Sequence, residues 1–301
     1  MSTDLFATVL DCNGRALSLD RPRVVGIINV TPDSFSDGGQ FSSVAAAVEH
    51  GLLLAQEGAD MLDVGGESTR PGAADVSVED ELQRVIPVIE QLVARTSLPI
   101  AVDTSKPEVM RAAVAAGAGM INDVYALRRE GALDAAAELR VPVCLMHMQG
   151  EPRSMQESPH YDDVVGEVHR FLTDRLFACE MAGIDRRKVM VDPGFGFGKT
   201  LEHNLALLRK LQRFAELGSG VYVGLSRKSM IGTLTGRQAP ADRAAGSVAA
   251  ALIAVQRGAR MVRVHDVAPT VDALKVWHAV QAGDTPERHD KPKMPSWPDD
   301  D

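Results

Sequence analysis

Eight apolar runs in this chain each end on side chains that donate, accept or carry charge. In order the ends are Asn29 with Thr31 and Asp33, Asp63 with Glu67, Thr69 and Arg70, Asp103 with Thr104 and Lys106, and Asn122 with Asp123. They continue with His147, Asp192, the run Ser226, Arg227, Lys228 and Ser229, and Arg263 with His265 and Asp266. A single Asp or Ser at such a junction is an ordinary helix cap. So many together describe polar groups converging on one rim, the usual make-up of an active site. Asp103, Asn122 and Asp192 supply acceptors, which suit a planar heterocycle with an amide-and-amine edge, because a carboxylate takes two parallel N–H bonds. Lys228, Arg263 and His265 supply cations and donors. With Asn29 they suit a diphosphate and a magnesium ion, which keeps most of its waters and takes few protein ligands.

The sixth end is a glycine loop, Asp192-Pro-Gly-Phe-Gly-Phe-Gly-Lys199. It is not a phosphate cradle of the GxxxxGK type, since Pro193 stands where the first glycine belongs, and the dinucleotide spacing GxGxxG fails at Lys199 and Leu201. Its glycines instead let the backbone, with Phe195 and Phe197, approach something flat.

The elements that must position these groups follow from a repeated rhythm: an apolar run of four to six residues, a polar or glycine-rich loop, then a helical stretch. The strands expected are Val24–Asn29, Met61–Val64, Ile100–Asp103, Met120–Asp123, Pro142–His147, Val189–Asp192, Val221–Leu225 and Met261–Val264. Helices such as Val44–Gly58, Val78–Arg95 and Tyr161–Ala182 carry apolar residues at i, i+3, i+4 spacing, and Gly58, Gly117, Gly183 and Gly258 fall where helices should stop. Strands apolar on both faces and alternating with helices mean a parallel sheet, and eight of them in this length mean a TIM (β/α)8 barrel, with an open doubly wound sheet as the alternative. Active sites of that barrel lie at the C-terminal ends of the strands, where the polar groups fall.

Three segments are expected: residues 1–22, whose Leu/Val pattern around Asn13-Gly14 reads as a hairpin and an N-terminal lid; the barrel, 23–283; and a disordered tail, 284–301, with four prolines and nine charged residues among eighteen. The stretches Thr31–Phe41 and Gly65–Val76 are long and glycine-rich, as lids or second-substrate loops are.

The 301 residues are 45% hydrophobic, ample for a large core, and a net charge of −9 excludes a basic nucleic-acid footprint. Cys12, Cys144 and Cys179 are too few and too widely spaced for a disulfide framework or a zinc site. No basic-then-apolar leader and no apolar run near the ~20 residues of a membrane span occur, so a cytoplasmic, membrane-free protein is expected.

The motifs also resemble those of the dihydropteroate synthase family. Asn29-Val-Thr-Pro-Asp-Ser-Phe-Ser-Asp-Gly-Gly39, Asp63-Val-Gly-Gly-Glu-Ser-Thr-Arg-Pro-Gly72 and Val102-Asp-Thr-Ser-Lys-Pro107 are similar to its first three loops. Ile121-Asn-Asp-Val124, Met146-His-Met-Gln-Gly150, the glycine loop, Ser226-Arg-Lys-Ser-Met-Ile-Gly232 and Arg263-Val-His-Asp266 are similar to the rest, in order, from about Arg23 to Ala282. The resemblance implies condensation of 6-hydroxymethyl-7,8-dihydropterin diphosphate with p-aminobenzoate to give 7,8-dihydropteroate and pyrophosphate, with Mg2+, in a homodimer. It puts pterin binding on Asp103, Asn122, Met148, Asp192, Gly196, Phe197 and Lys228. Diphosphate binding falls on Asn29, Thr69, Arg263 and His265, with Asn29 also the metal ligand. The p-aminobenzoate site falls on Phe35, Thr69, Arg70, Pro71, Phe197 and Ser229, and Asp103, Asp192, Lys228, Arg263 and His265 carry the catalysis. Two other readings share parts of this pattern. A corrinoid-type pterin methyltransferase domain would have no use for the diphosphate cations, and a non-catalytic pterin-binding paralogue would have no use for a complete second-substrate site.

Overall fold

The computed structural model of the chain describes residues 9–31, 39–68, 75–151, 155–217 and 220–282, with the backbone alone at 39–43 and 282. The chain begins with an antiparallel hairpin, β1 (Val9–Cys12) and β2 (Arg15–Ser18). Its turn residues Asn13 and Gly14 both take left-handed φ values, 55° and 82°, which explains the Asn-Gly pair there.

Eight parallel strands then close into a barrel: β3 (Arg23–Asn29), β4 (Met61–Gly65), β5 (Ile100–Asp103), β6 (Met120–Asp123), β7 (Val143–Met146), β8 (Val189–Asp192), β9 (Val221–Val223) and β10 (Ala259–Val264). β10 pairs with β3 to close the ring. Between them run α1 (Gly39–Gln56), α2 (Val78–Arg95), α3 (Pro107–Ala115), α4 (Ala132–Leu139) and α5 (Val164–Met181). A split pair, α6 (Leu201–Arg209) and α7 (Gln212–Ala215), precedes β9, and a second pair, α8 (Ser229–Thr235) and α9 (Ala244–Gln256), precedes β10; α10 (Val267–Ala282) follows it.

The expected TIM barrel is therefore the fold, and most boundaries agree with the pattern. Gly58, Gly117, Gly183 and Gly258 all sit at positive φ just past a helix, where a Cβ would be strained. α5 starts at Val164 rather than Tyr161 because Asp163 caps it, its side chain accepting from Val165 N at 3.2 Å.

Period-2 alternation along the strands sorts their side chains into two cores. Outward residues such as Val24, Ile28, Leu62, Val64, Val102, Ile121, Leu145 and Val191 pack beneath the helices. The first inward positions, Val25, Met61, Ala101, Met120, Cys144, Met190, Tyr222 and Met261, form a separate apolar cluster with Leu10, Cys12, Leu17 and Leu19 of the N-terminal segment. That segment closes the base of the barrel, the end opposite the polar strand ends. Arg15 fastens it by donating to the carbonyls of Val93, Thr96 and Leu98. Gly119 is needed beneath it, for a Cβ there would lie 2.3 Å from Cys12 O. The expected N-terminal lid is thus a plug under the barrel, because its alternate leucines match an apolar layer and not the polar mouth. The expected tail, 284–301, lies outside the described residues. No helix among the described residues is long and apolar enough to cross a membrane.

Candidate active site

Two residues along each strand from that apolar layer the inward position turns polar on five strands. Met61 is followed by Asp63, Ala101 by Asp103, Met120 by Asn122, Met190 by Asp192 and Met261 by Arg263. The alternation that builds the plug thus also delivers three carboxylates, an amide and a guanidinium to one level inside the barrel.

Arg263 is the hub of this level. Its Nε donates to Asp63 Oδ2 at 2.5 Å and its terminal nitrogen to Asp103 Oδ2 at 2.8 Å, while Asn122 Nδ2 donates to the same Asp63 oxygen at 3.1 Å. The expected division into an acceptor floor and a cation rim is therefore not kept at Arg263, which lies between the two. Burial works against its charge, but Asp63 and Asp103 hold it protonated. Burial pushes the Asp103 carboxyl up to about 7, with Arg263 pulling it down and Asp63 adding repulsion.

Asp192 ends β8 almost wholly buried and accepts from Gly194 N at 2.7 Å. Burial raises it to about 6, opposed by that N–H and by the charges of Lys228, Lys199 and Arg263. Burial likewise lowers Lys228 to about 8, opposed chiefly by Asp192. Lys228 Nζ donates to Phe195 O and lies 4.2 Å from the centre of the Phe197 ring. The glycine loop is pressed against the end of β7: a Cβ at Gly194 would stand 1.9 Å from His147 O, and one at Gly198 2.5 Å from Gln149 O. Gly196 follows Lys228 as closely, its Cβ position 3.1 Å from Lys228 Cδ. Met148 joins Val124, Met146 and Met155 in a small apolar cluster against which Tyr125 and Phe197 pack. Asp192, Lys228, Gly196 and Phe197 are therefore brought together, with Asp103 and Asn122 on the same level and Met148 beside Phe197.

On the opposite side of the mouth, Asn29 ends β3 half-buried. His265 follows β10, its backbone N and Nδ1 3.1 and 3.0 Å from Ser226 Oγ. Ser229, exposed, opens α8. Arg227 is turned away, ion-paired to Asp266 at 2.5 Å. Phe35, Thr69, Arg70 and Pro71 lie outside the described residues. Among the described residues no group of three His, Cys, Asp or Glu side chains converges as a metal cage would. Asn29, at the end of β3, carries an amide oxygen, a hard donor of the kind a cation otherwise surrounded by water and phosphate oxygens accepts.

Three groups carry more of the site than the sequence assigns them, since it marks Asp63, Lys106 and His147 only as polar strand ends with no binding or catalytic role. Asp63 is one, although a lone Asp in phase with Met61 on a strand marks an inward polar position. A second is Lys106, whose buried Nζ bridges Glu67 at 2.7 Å and Glu81 at 2.5 Å, while the other Glu67 oxygen accepts from Val76 N. Glu81 lies on α2, and nothing in the helical pattern marks it as a partner. The third is the pair His147 and Lys199, 3.0 Å apart.

A family of pterin binding enzymes matches residues 25–265. The chain is 53% identical to the dihydropteroate synthase of Escherichia coli over 281 residues, covering 93% of this chain and 99% of that protein. Dihydropteroate synthase of Xanthomonas albilineans solved with 4-aminobenzoic acid is 69% identical, with a TM-score of 0.88 over 92% of this chain and 99% of that one. The same enzyme solved with 7,8-dihydropteroate is 67% identical, with a TM-score of 0.84 over 91% and 99%. The Yersinia pestis enzyme solved in complex with a sulfonamide drug is 48% identical, with a TM-score of 0.87 over 91% and 99%.

Proposed function

The chain belongs to the dihydropteroate synthase family of pterin-binding enzymes, and from that premise we propose how its barrel mouth does the work. The substrates are 6-hydroxymethyl-7,8-dihydropterin diphosphate and p-aminobenzoate, and the products 7,8-dihydropteroate and pyrophosphate. The observation that carries the reading is the single inward level of Asp103, Asn122, Asp192 and Arg263 with Lys228 beside it. It presents acceptors to the amide-and-amine edge of a pterin and keeps cations within reach of its diphosphate.

In this mechanism Asp192 and Asn122 take the pterin edge, Lys228 reaches a ring acceptor, and Met148, Gly196 and Phe197 cover its faces. The bond from the pterin methylene carbon to the diphosphate oxygen breaks, and its electron pair leaves with the diphosphate. Arg263 and His265 stabilise the charge that develops there, Asn29 and Thr69 holding the same group. Mg2+, held by Asn29 and the diphosphate oxygens, would neutralise part of that charge. The carbon left behind is cationic, and the negative charge of Asp103 and Asp192 favours it. The amine nitrogen of p-aminobenzoate then forms the new bond and loses one proton. Phe35, Thr69, Arg70, Pro71, Phe197 and Ser229 hold this second substrate. No side chain forms a covalent intermediate; the buried thiols Cys12, Cys144 and Cys179 are pushed up by burial, away from reactive thiolate.

We also propose a homodimer in the cytoplasm. The exposed side chains of Leu234, Ile253, Val276 and Val280 on α8, α9 and α10 support self-association, and buried free thiols suit a reducing compartment. A monomer in sedimentation velocity would overturn the dimer. The reaction is tested by incubating the protein with both substrates and Mg2+ and measuring pyrophosphate and dihydropteroate together. One pyrophosphate per dihydropteroate is expected, and no p-aminobenzoate-dependent product would overturn it.

A further inference from the structure

Lys199 is given no contact with either substrate above, yet its amine is buried at the end of the glycine loop. Nζ lies 3.0 Å from His147 Nδ1, 3.3 Å from His147 O and 2.9 Å from Phe197 O. These three partners are neutral, and together they engage the amine on three sides. Burial pulls the amine well below the usual lysine value, and the charge of Asp192 resists it. The His147 ring is pressed down to about 2, first by burial and then by Lys199, so it stays neutral. Phe171 packs edge-on against that ring at 4.8 Å, fixing it in place.

What it fastens is the second half of the loop. The first half is anchored without it: Gly194 N on Asp192, Phe195 O on Lys228, Gly196 N on Asn204 at 2.7 Å and Gly196 O on Gln156. Phe197 O is met by Lys199, and Gly198 O by the Tyr161 hydroxyl at 2.9 Å. Phe197 N also donates to Gly194 O at 3.2 Å, so Lys199 and Tyr161 are the side chains that fasten the carbonyls of Phe197 and Gly198 beside the Phe197 ring, which lies between Lys228 and the Met146 and Met148 cluster.

We propose that Lys199, anchored on His147, is a positioning residue that fixes Phe197 as the partition between the pterin and aryl-amine pockets and so governs capture of the aryl amine more than of the pterin. The inference rests on the two pockets proposed above.

Steady-state kinetics with each substrate varied test it, using the wild type, Lys199→Met and Tyr161→Phe. Loss of the three buried contacts of the amine predicts a KM for p-aminobenzoate raised about tenfold in Lys199→Met. The KM for the pterin diphosphate should rise less, by about threefold at most, since Asn122 and Lys228 remain in place and Asp192 loses only one of the charges that favour its carboxylate. Tyr161→Phe, which removes only a neutral hydroxyl, should raise the p-aminobenzoate KM about threefold in the same selective way. Equal rises in both KM values, or none, would overturn the inference. If Lys199→Met does not fold, the selectivity of Tyr161→Phe decides in the same sense. Absence of turnover by the wild type would overturn the reaction itself, and this inference with it.

Discussion

Arg263 Nε lies 2.5 Å from Asp63 Oδ2, and that carboxylate, wholly buried, also accepts from Asn122. Asp63 thereby orients two groups of the pterin pocket while its own position is set by Met61 two residues earlier. Removing one partner of a buried ion pair costs about 3–5 kcal/mol because the other charge is left uncompensated. Asp63→Ala is accordingly expected to lower unfolding free energy by that order in urea denaturation. In Asp63→Asn, whose amide opposes Arg263 at equal size, kcat/KM for the pterin diphosphate should fall about 100-fold or more. Wild-type activity in Asp63→Asn would show that Arg263 keeps its place without the carboxylate.

The pH dependence follows from Asp103, raised to about 7, Asp192, raised to about 6, and Lys228, lowered to about 8. Both carboxylates are needed ionised, so kcat/KM should fall as pH drops through about 7, where Asp103 takes up a proton, and further through about 6, where Asp192 does. It should also fall above about 8, as Lys228 loses its proton. Asp192 carries the opposite sign for stability. A carboxyl raised in the folded state stabilises it fully below the ordinary Asp value, and the contribution is lost as pH rises through about 6. Asp192→Asn should therefore remove part of the decline in unfolding free energy between pH 4 and pH 7, measured by urea denaturation. An unchanged decline would contradict the raised carboxyl.

Sequence pattern carried the barrel far, because strands buried on both faces and helices stopped by glycine leave local signals. It also marked Asp103, Asn122, Asp192 and Arg263, each the polar end of an apolar run. What it could not carry is pairing across the ring. Nothing near residue 263 says that its guanidinium joins Asp63 and Asp103, and nothing near Lys106 points to Glu81 on α2, because these contacts depend on barrel closure. The N-terminal hairpin was readable from Asn13-Gly14, but which end it covers is set by the apolar inward layer, visible only once eight strands are aligned.

The hairpin should stabilise the barrel without touching the substrates. Leu17→Ala, cutting a nearly inaccessible side chain from the plug, is expected to cost about 2–5 kcal/mol. Gly119→Ala, whose Cβ would stand 2.3 Å from Cys12 O, should cost about 1–3 kcal/mol by overpacking. Both should lower Tm in calorimetry while leaving KM for either substrate unchanged at 25 °C. A raised KM with an unchanged Tm would instead place the segment over the mouth.

The central claim is that the inward level around Asp192 and Arg263 binds the pterin diphosphate and drives its substitution. Pyrophosphate release in the presence of p-aminobenzoate, compared across wild type, Asp192→Ala and Arg263→Ala, tests it most directly. The account predicts a loss of about 100-fold or more in kcat/KM for the pterin in each variant, equivalent to about 2.7 kcal/mol or more of transition-state stabilisation. Normal turnover by Asp192→Ala would contradict it.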